Sequence, residues 1–167
     1  LDQADIDVMK ASKTCVAATR FQYDYLNDDI TDDGKIDYTL TNKVPKALQQ
    51  AIADYREGKS GAKKILVLIN PPYAEAMNVD NITASNGKNS ELKLGVSKTK
   101  IGASIDNLGY SARELFVQFM MRIAKELPDA NLAMFSTLKY VNAPNFENFR
   151  QAWNAQYRSG FVVHSKA

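Results

Sequence analysis

The sequence predicts an α/β fold in which a mainly parallel sheet is flanked by helices. Two short apolar segments, 63–70 and 131–138, have the composition of buried strands. Segments with helical spacing alternate with such strands along the chain, and this alternation is typical of parallel sheets because parallel strands need a crossover connection. The 167 residues, 45% of them apolar, suit one domain with a sizeable core.

The first half of the chain contains a helix, a strand and a second helix in this interpretation. Residues 4–18 have helix-compatible spacing after a cap at Asp2. Residues 21–26, FQYDYL, alternate aromatic and polar side chains in the manner of a strand. A polar, turn-rich stretch then leads to a helix over 44–61, which begins near Pro45 and ends on glycines.

The second half begins with a long loop or insert at about 74–107, which is rich in Asn, Ser, Gly and Lys and lacks periodicity. A helix is predicted over 110–130, and a short helix and a last strand over 145–157 and 160–165. The helix over 110–130 is expected to supply core residues because six apolar side chains recur at helical spacing: Leu115, Phe116, Phe119, Met120, Ile123 and Leu127.

Composition excludes several kinds of site. Cys15 and His164 are the only residues of their types, so the usual zinc spacings are absent. Residues 29–40 resemble a calcium-binding loop, but Leu40 stands where a bidentate glutamate is needed, so no metal site is expected. No apolar run reaches the length of a membrane span and no signal peptide pattern is present, which predicts a cytoplasmic protein without membrane contact.

The most informative segment is ILVLINPPY, in which an apolar strand runs into Asn70, Pro71, Pro72 and Tyr73. Ligands of parallel sheets bind at the carboxyl ends of the strands, where this tetrapeptide is predicted to lie. The two prolines hold the backbone extended. The Asn70 side-chain oxygen and the Pro71 carbonyl could then accept hydrogen bonds from an exocyclic amino group, while Tyr73 offers a flat face to a ring. The alternative is an ordinary Asn-Pro turn at a strand end.

An NPPY sequence after an apolar strand resembles the catalytic motif of the S-adenosylmethionine-dependent amino-group methyltransferases, particularly the DNA N6-adenine enzymes of restriction-modification systems. ELFVQFMMRIAKELP and NLAMFSTLKYV resemble the helix and strand that follow this motif in the family. The resemblance spans nearly the whole chain and implies a Rossmann-like methyltransferase sheet.

The resemblance also implies a site for S-adenosylmethionine. LDQAD resembles the end of the second strand, where Asp2 would hold the ribose hydroxyls of the cofactor. FQYDYL resembles the next strand end, where Asp24 would accept a hydrogen bond from the adenine amino group and Tyr25 would lie against the ring. Taken alone, Asp2 and Asp24 would be a helix cap and a solvated carboxylate.

The Gly-rich cofactor loop of the family, which precedes the second strand, is missing from the chain, and so is a target-recognition domain. We therefore expect residues 1–167 to form part of a longer methyltransferase domain. The 167-residue piece is expected to be inactive, to bind little cofactor, and to self-associate through the sheet edge that the missing first strand would pair.

The implied activity is methylation of the N6 amino group of an adenine that is flipped out of double-stranded DNA. A restriction endonuclease or a specificity subunit is the expected protein partner. Two alternatives stay open. The same chemistry serves enzymes that methylate the amino group of an RNA base or a protein glutamine amide, and a non-catalytic subunit that binds nucleic acid or supports assembly could retain the same fold. The net charge of +2 does not separate these alternatives.

Overall fold

A computed structural model describes residues 3–72 and 99–163 and shows a mixture of helices and strands. In chain order, the elements are α1 (Gln3–Ala11), α2 (Lys46–Arg56), β1 (Leu66–Ile69), α3 (Lys100–Ser104), a 3-10 helix (Asp106–Arg113), α4 (Leu115–Glu126), β2 (Asn131–Met134), α5 (Lys139–Asn142), a 3-10 turn (Pro144–Phe146) and α6 (Glu147–Ala152).

The two strands form a parallel sheet, as expected for a strand–helix–strand unit. β1 and β2 pair in register from Leu66 opposite Asn131 to Ile69 opposite Met134. The amide of Phe135 donates to the carbonyl of Ile69 at 3.1 Å, which extends the pairing one residue beyond β2. Since α4 lies between the two strands in the chain, it supplies the crossover that a parallel connection requires.

The prediction that β1 is a fully buried strand is wrong, because one face of the sheet is exposed. Leu66 and Leu68 of β1 are 67% and 72% exposed, and Phe135 at the end of β2 is 52% exposed. The alternate residues of both strands are half-buried, and Met134 packs against the main hydrophobic cluster. The described part of the chain therefore covers only one face of the sheet. The expected self-association through the sheet stays a prediction.

The core is organised around α4. Phe116 and Met120 belong to the main hydrophobic cluster, whereas Leu115 and Phe119 pack against a second cluster. The main cluster consists of Ile105, Leu108, Ala112, Phe116, Val117, Met120, Met121, Phe146 and Phe149, and the second of Leu26, Ile30 and Ile101. The helical spacing predicted this helix and its apolar core side chains, but α4 is shorter than the predicted 110–130, because residues 106–113 form the 3-10 helix and α4 ends at Glu126.

The first helices also agree with the sequence, although α1 ends earlier than predicted. α1 stops at Ala11, and turns follow it up to Ala17. Pro45 immediately precedes α2, where its fixed φ suits a helix start. Gly58 follows α2 with a φ of +63°, a conformation that glycine adopts without a steric penalty.

Two predicted strands show no strand structure where the chain is described. Residues 21–26 pair with no strand among residues 3–72 and 99–163: 21–24 are irregular and 25–29 form turns. The rings of Tyr23 and Tyr25 pack instead against Arg122, a buried arginine on α4, and Phe21 packs on Tyr23. Residues 161–163 of the predicted last strand are irregular and exposed.

The end of the predicted insert is helical. Residues 100–104 form α3, and the 3-10 helix begins at Asp106, so the loop predicted up to about 107 ends earlier than expected. The Thr99 side chain caps α3 by accepting a hydrogen bond from the Gly102 amide at 3.0 Å. Asp2, Tyr73, His164 and the rest of the insert lie outside the described residues.

Candidate functional site

The first candidate region is the carboxyl end of β1. Asn70 follows the last paired residue, Ile69, and is exposed, while the side chain of Pro71 is fully buried and Pro72 is exposed. The buried proline ring, with its restricted φ, limits the conformations of the backbone on either side. Asn70 therefore stands at an edge of the sheet on a segment with little conformational freedom.

The end of β2 and the start of α4 meet at the same edge. Phe135 continues β2 beside Asn70, because the register places it next to the pair formed by Ile69 and Met134. Lys139, just beyond this strand end, donates from Nζ to Glu114 Oε1 at 2.8 Å. Glu114 is buried and immediately precedes α4, so this ion pair ties the start of the crossover helix to the segment after β2.

The second candidate region is the turn that contains Asp24. The Asp24 carboxylate accepts two hydrogen bonds within its own turn, from the Leu26 amide to Oδ1 at 3.1 Å and from Asn27 Nδ2 to Oδ2 at 2.8 Å. Its own amide donates to Asp28 Oδ2 at 2.8 Å. Asp24 is exposed, and a carboxylate offers about four acceptor positions. The carboxylate is thus fixed in orientation and can accept further hydrogen bonds.

Tyr25 is fastened to α4 through its hydroxyl, its ring and its carbonyl. Its hydroxyl donates to Glu126 Oε2 at 2.7 Å, and its ring stacks on Phe119 with 5.7 Å between centroids and an interplanar angle of 21°. Its carbonyl accepts from Arg122 at 2.6 Å. These contacts dock Tyr25 on α4, and the cofactor contact that the family resemblance implies for Tyr25 stays a prediction.

Arg122 is the centre of this docking contact. Its side chain is fully buried, and Nη1 donates to the carbonyls of Tyr25 and Asp28 at 2.6 and 2.7 Å. Nη2 donates to the hydroxyl of Tyr23 at 2.7 Å, and the charge is balanced by Glu126, whose Oε2 lies 3.5 Å from Nε. A planar guanidinium with several donors suits such a buried junction.

The tyrosines around Arg122 have shifted acidities. Burial, and after it the neighbouring Glu126 carboxylate, raises the pKa of Tyr25 and Tyr38 well above the usual 10.0. Tyr38 also donates a hydrogen bond to Glu126. Burial raises the pKa of Tyr23 too, although Arg122 opposes this. All three phenols therefore hold their protons more firmly in the folded protein.

Two aspartates, Asp28 and Asp29, link the segment after Tyr25 to residues 41–43 through hydrogen bonds. Asp29 is buried, and its carboxylate accepts hydrogen bonds from the amide and hydroxyl of Thr41 at 2.8 and 2.9 Å and from the Tyr23 hydroxyl at 3.0 Å. Partial burial raises the pKa of Asp28, but hydrogen bonds from Lys43 and the Asp24 amide outweigh it and hold this pKa below its ordinary value. Asp29, the first residue of the stretch 29–40 that resembles a calcium-binding loop, thus uses its carboxylate to bind Thr41 and Tyr23.

The same turn contacts α3, which follows the insert. The Ile101 amide donates to the Leu26 carbonyl at 3.1 Å, and the Lys100 amide donates to Asn27 Oδ1 at 3.0 Å. Lys100 Nζ donates to the Ile30 carbonyl at 3.1 Å. The Asp24 turn is therefore held between α3 on one side and α4 on the other.

Of the residues predicted to form the site, the structure groups Asn70, Pro71 and Pro72 after β1, and Asp24 with Tyr25 in the turn docked on α4. Both side-chain hydrogen bonds of Asp24 stay within that turn. Among residues 3–72 and 99–163, no cluster of three His, Cys, Asp or Glu side chains is arranged to hold a metal ion. None of the helices in these two ranges is long and apolar enough to cross a membrane.

Sequence reasoning missed Arg122, Glu126 and Asn27. Arg122 and Glu126 were missed because polar positions on a predicted amphipathic helix are assigned to solvent. The available signal was the concentration of tyrosines at 23, 25 and 38, since buried phenols need hydrogen-bond partners. No local pattern marks Asn27.

Comparison of the chain with models of protein families, with curated proteins and with solved structures finds no match. The functional interpretation therefore depends on the motif and on the geometry described above.

Proposed function

We propose that the natural protein that carries this chain transfers a methyl group from S-adenosylmethionine to the N6 amino group of an adenine flipped out of double-stranded DNA, as part of a restriction-modification system. In this proposal the two described strands belong to a larger Rossmann-like sheet. A restriction endonuclease or a specificity subunit is the proposed protein partner.

The observation that carries the proposal is the location of Asn70 and Pro71. They directly follow β1 at the carboxyl edge of a parallel strand pair joined through a helix, where ligands of such sheets bind. The side chain of Pro71 is fully buried, which supports a fixed direction for its carbonyl. The exposed Asn70 side chain is compatible with a role toward a ligand rather than toward the core.

The residues suit the chemistry of amino-group methylation. The lone pair of the adenine amino nitrogen is delocalised into the ring, so this nitrogen is a weak nucleophile. Acceptors for its two hydrogens, here the Asn70 side-chain oxygen and the Pro71 carbonyl, favour a pyramidal nitrogen whose lone pair can attack. Fixed acceptors that orient the nitrogen contribute to the rate through positioning and electrostatic stabilisation.

Asp24 fits the cofactor part of the proposal. Its carboxylate is exposed, is held by two hydrogen bonds, and has acceptor positions left for the amino group of the cofactor's adenine. Tyr25, beside it, would contact the adenine ring, and Asp2 the ribose. When bound, S-adenosylmethionine supplies an electrophilic methyl group on sulfur.

Methyl transfer from labelled cofactor tests the proposal. The natural protein would be offered duplex DNA that contains adenine, the same duplex with N6-methyladenine at every adenine, RNA of the same sequence, and a protein that presents an exposed glutamine. We expect label only in the unmethylated DNA. Label in RNA or in the glutamine would replace the DNA assignment, and no transfer to any of them would leave the non-catalytic alternative.

A further inference from the structure

The orientation of the Asp24 carboxylate depends on one neighbouring side chain. The Leu26 amide, a part of the backbone, holds Oδ1 at 3.1 Å. The second oxygen, Oδ2, is held at 2.8 Å by Asn27 Nδ2. A carboxylate bound through one oxygen can still rotate about the bond to its β-carbon, whereas one bound through both oxygens cannot do so without breaking a hydrogen bond.

Asn27 is itself fixed from the other side. Its Oδ1 accepts the amide hydrogen of Lys100 at 3.0 Å, and Lys100 is the first residue of α3. The next amide, that of Ile101, donates to the Leu26 carbonyl at 3.1 Å. The Asn27 amide plane is therefore set by a helix that packs on the turn, and both ends of the side chain are in use.

We infer that Asn27 is a positioning residue for the cofactor: it holds the Asp24 carboxylate in the orientation that accepts a hydrogen bond from the 6-amino group of the cofactor's adenine. This inference rests on the proposed function. Asn27 does not contact the cofactor in this scheme. It acts through Asp24, and it links the adenine site to α3.

Binding selectivity for the 6-amino group shows whether Asn27 positions the Asp24 carboxylate or only stabilises the fold. The test compares binding of S-adenosylhomocysteine with binding of its analogue that has hydrogen in place of the 6-amino group, measured by calorimetry on the natural protein. A hydrogen bond to a charged acceptor corresponds to a preference for the amino compound of about tenfold or more. We expect the unmodified protein to show this preference and Asp24→Ala to lose it.

Two substitutions of Asn27 probe the inference. Asn27→Ala removes both hydrogen bonds, whereas Asn27→Asp keeps the acceptor for the Lys100 amide and replaces the donor to Asp24 with a carboxylate that repels it. We expect both variants to reduce the preference to about threefold or less, with a circular dichroism spectrum like that of the unmodified protein. The control is Gln50→Ala on α2, which removes a similar 2.8 Å bond from an amide to a carboxylate, that of Asp54, and should leave the preference unchanged.

The outcomes distinguish the inference from the proposed function. If Asp24→Ala loses the preference and the Asn27 variants retain it, Asn27 does not position the carboxylate and the inference is wrong, while the cofactor site stands. If the unmodified protein binds neither compound, or binds both equally, the assignment of Asp24 to the cofactor fails and the inference fails with it.

Discussion

The guanidinium of Arg122 lies over the ring of Tyr25, with 4.4 Å between Cζ and the ring centroid, and one of its nitrogens donates to the carbonyl of the same residue at 2.6 Å. A cation over an aromatic face adds to the hydrogen bonds that the arginine makes. The contact attaches the turn that carries Asp24 to the crossover helix of the sheet. The turn that carries Asp24 and Tyr25 is thus anchored by a residue that does not belong to the proposed site.

Arg122→Met should destabilise the protein by about 3 kcal/mol or more, because it leaves the Glu126 carboxylate buried without its cation and removes a donor from two backbone carbonyls. Arg150 provides a matched control, since its Nη1 also donates to two backbone carbonyls but the residue is exposed. Arg150→Met should cost about 1 kcal/mol or less. Urea unfolding followed by circular dichroism measures both. Equal losses would show that burial does not decide the contribution of Arg122.

Asn70→Ala in the natural protein should lower the rate of methyl transfer by about two orders of magnitude or more, as expected for the loss of one positioned transition-state contact. The fold should be retained because Asn70 is exposed. Asn131, exposed at the opposite end of the sheet, serves as the control, and Asn131→Ala should leave the rate within about twofold. Initial rates with labelled cofactor test this, and a near-normal rate for Asn70→Ala would remove Asn70 from the mechanism.

Tyr73 is predicted to stack on the flipped base. Tyr73→Phe should then have a small effect on DNA binding, whereas Tyr73→Ala should weaken productive binding by roughly 1 to 3 kcal/mol, the usual contribution of base–aromatic stacking. Binding can be measured by fluorescence anisotropy with a duplex that carries an abasic site opposite the target adenine. If the phenylalanine variant is as damaged as the alanine variant, the hydroxyl group rather than the ring is important.

The free energy of unfolding should fall above about pH 10. The pKa values of Tyr23, Tyr25 and Tyr38 are raised in the folded state, so above the unfolded value of 10.0 the unfolded chain loses protons that the folded protein retains. Each such group contributes up to about 1.4 kcal/mol per pH unit to this decline. Replacing Tyr38 by Phe should reduce the slope by about that amount.

Denaturant unfolding at several pH values between about 9 and 11.5 measures these slopes across the unfolded-state pKa of tyrosine. Tyr157→Phe is the control, because Tyr157 is 77% exposed, and it should leave the slope unchanged. An unchanged slope in Tyr38→Phe would contradict the burial argument for this phenol.

Gly34→Ala should destabilise the protein more than Gly58→Ala. Both glycines have positive φ, +76° and +63°, so alanine at either position costs about 1 kcal/mol in backbone strain. A β-carbon at Gly34 would also lie 2.6 Å from Cβ of Ser104, whereas at Gly58 it would have no neighbour within 4 Å in the described part of the chain. The clash should add about 1 to 3 kcal/mol. Chemical unfolding of the two variants gives the difference, and equal losses would show that the Ser104 segment moves away freely.

The helices and strands that could be predicted are those with a sequence pattern contained in a few neighbouring residues. The apolar spacing of α4, Pro45 before α2 and the runs of β1 and β2 are each contained within a few residues, and all four elements are present. The parallel pairing also agreed with expectation, because strand–helix–strand order favours it. The location of Asn70 followed from its position at the end of β1.

The elements that could not be predicted depend on contacts between distant residues. The alternating aromatic residues of 21–26 matched a strand pattern, yet Tyr23 and Tyr25 pack on Arg122, 97 residues beyond Tyr25. Periodicity assigns Arg122 to solvent because it measures only side-chain polarity. Arg122 donates to backbone carbonyl groups of the turn. Every residue has a backbone carbonyl, so the sequence does not indicate which of them will accept these hydrogen bonds.

The 97-residue separation between Tyr25 and Arg122 has a consequence during synthesis on the ribosome. Translation adds about 5 to 20 residues per second, so the turn leaves the ribosome on the order of 5 to 20 seconds before the arginine that fixes it. During this interval Tyr23 and the carbonyl groups of Tyr25 and Asp28 lack the guanidinium that binds them in the folded protein. The nascent amino-terminal part is therefore open to chaperones and proteases until α4 emerges and folding of this region can be completed.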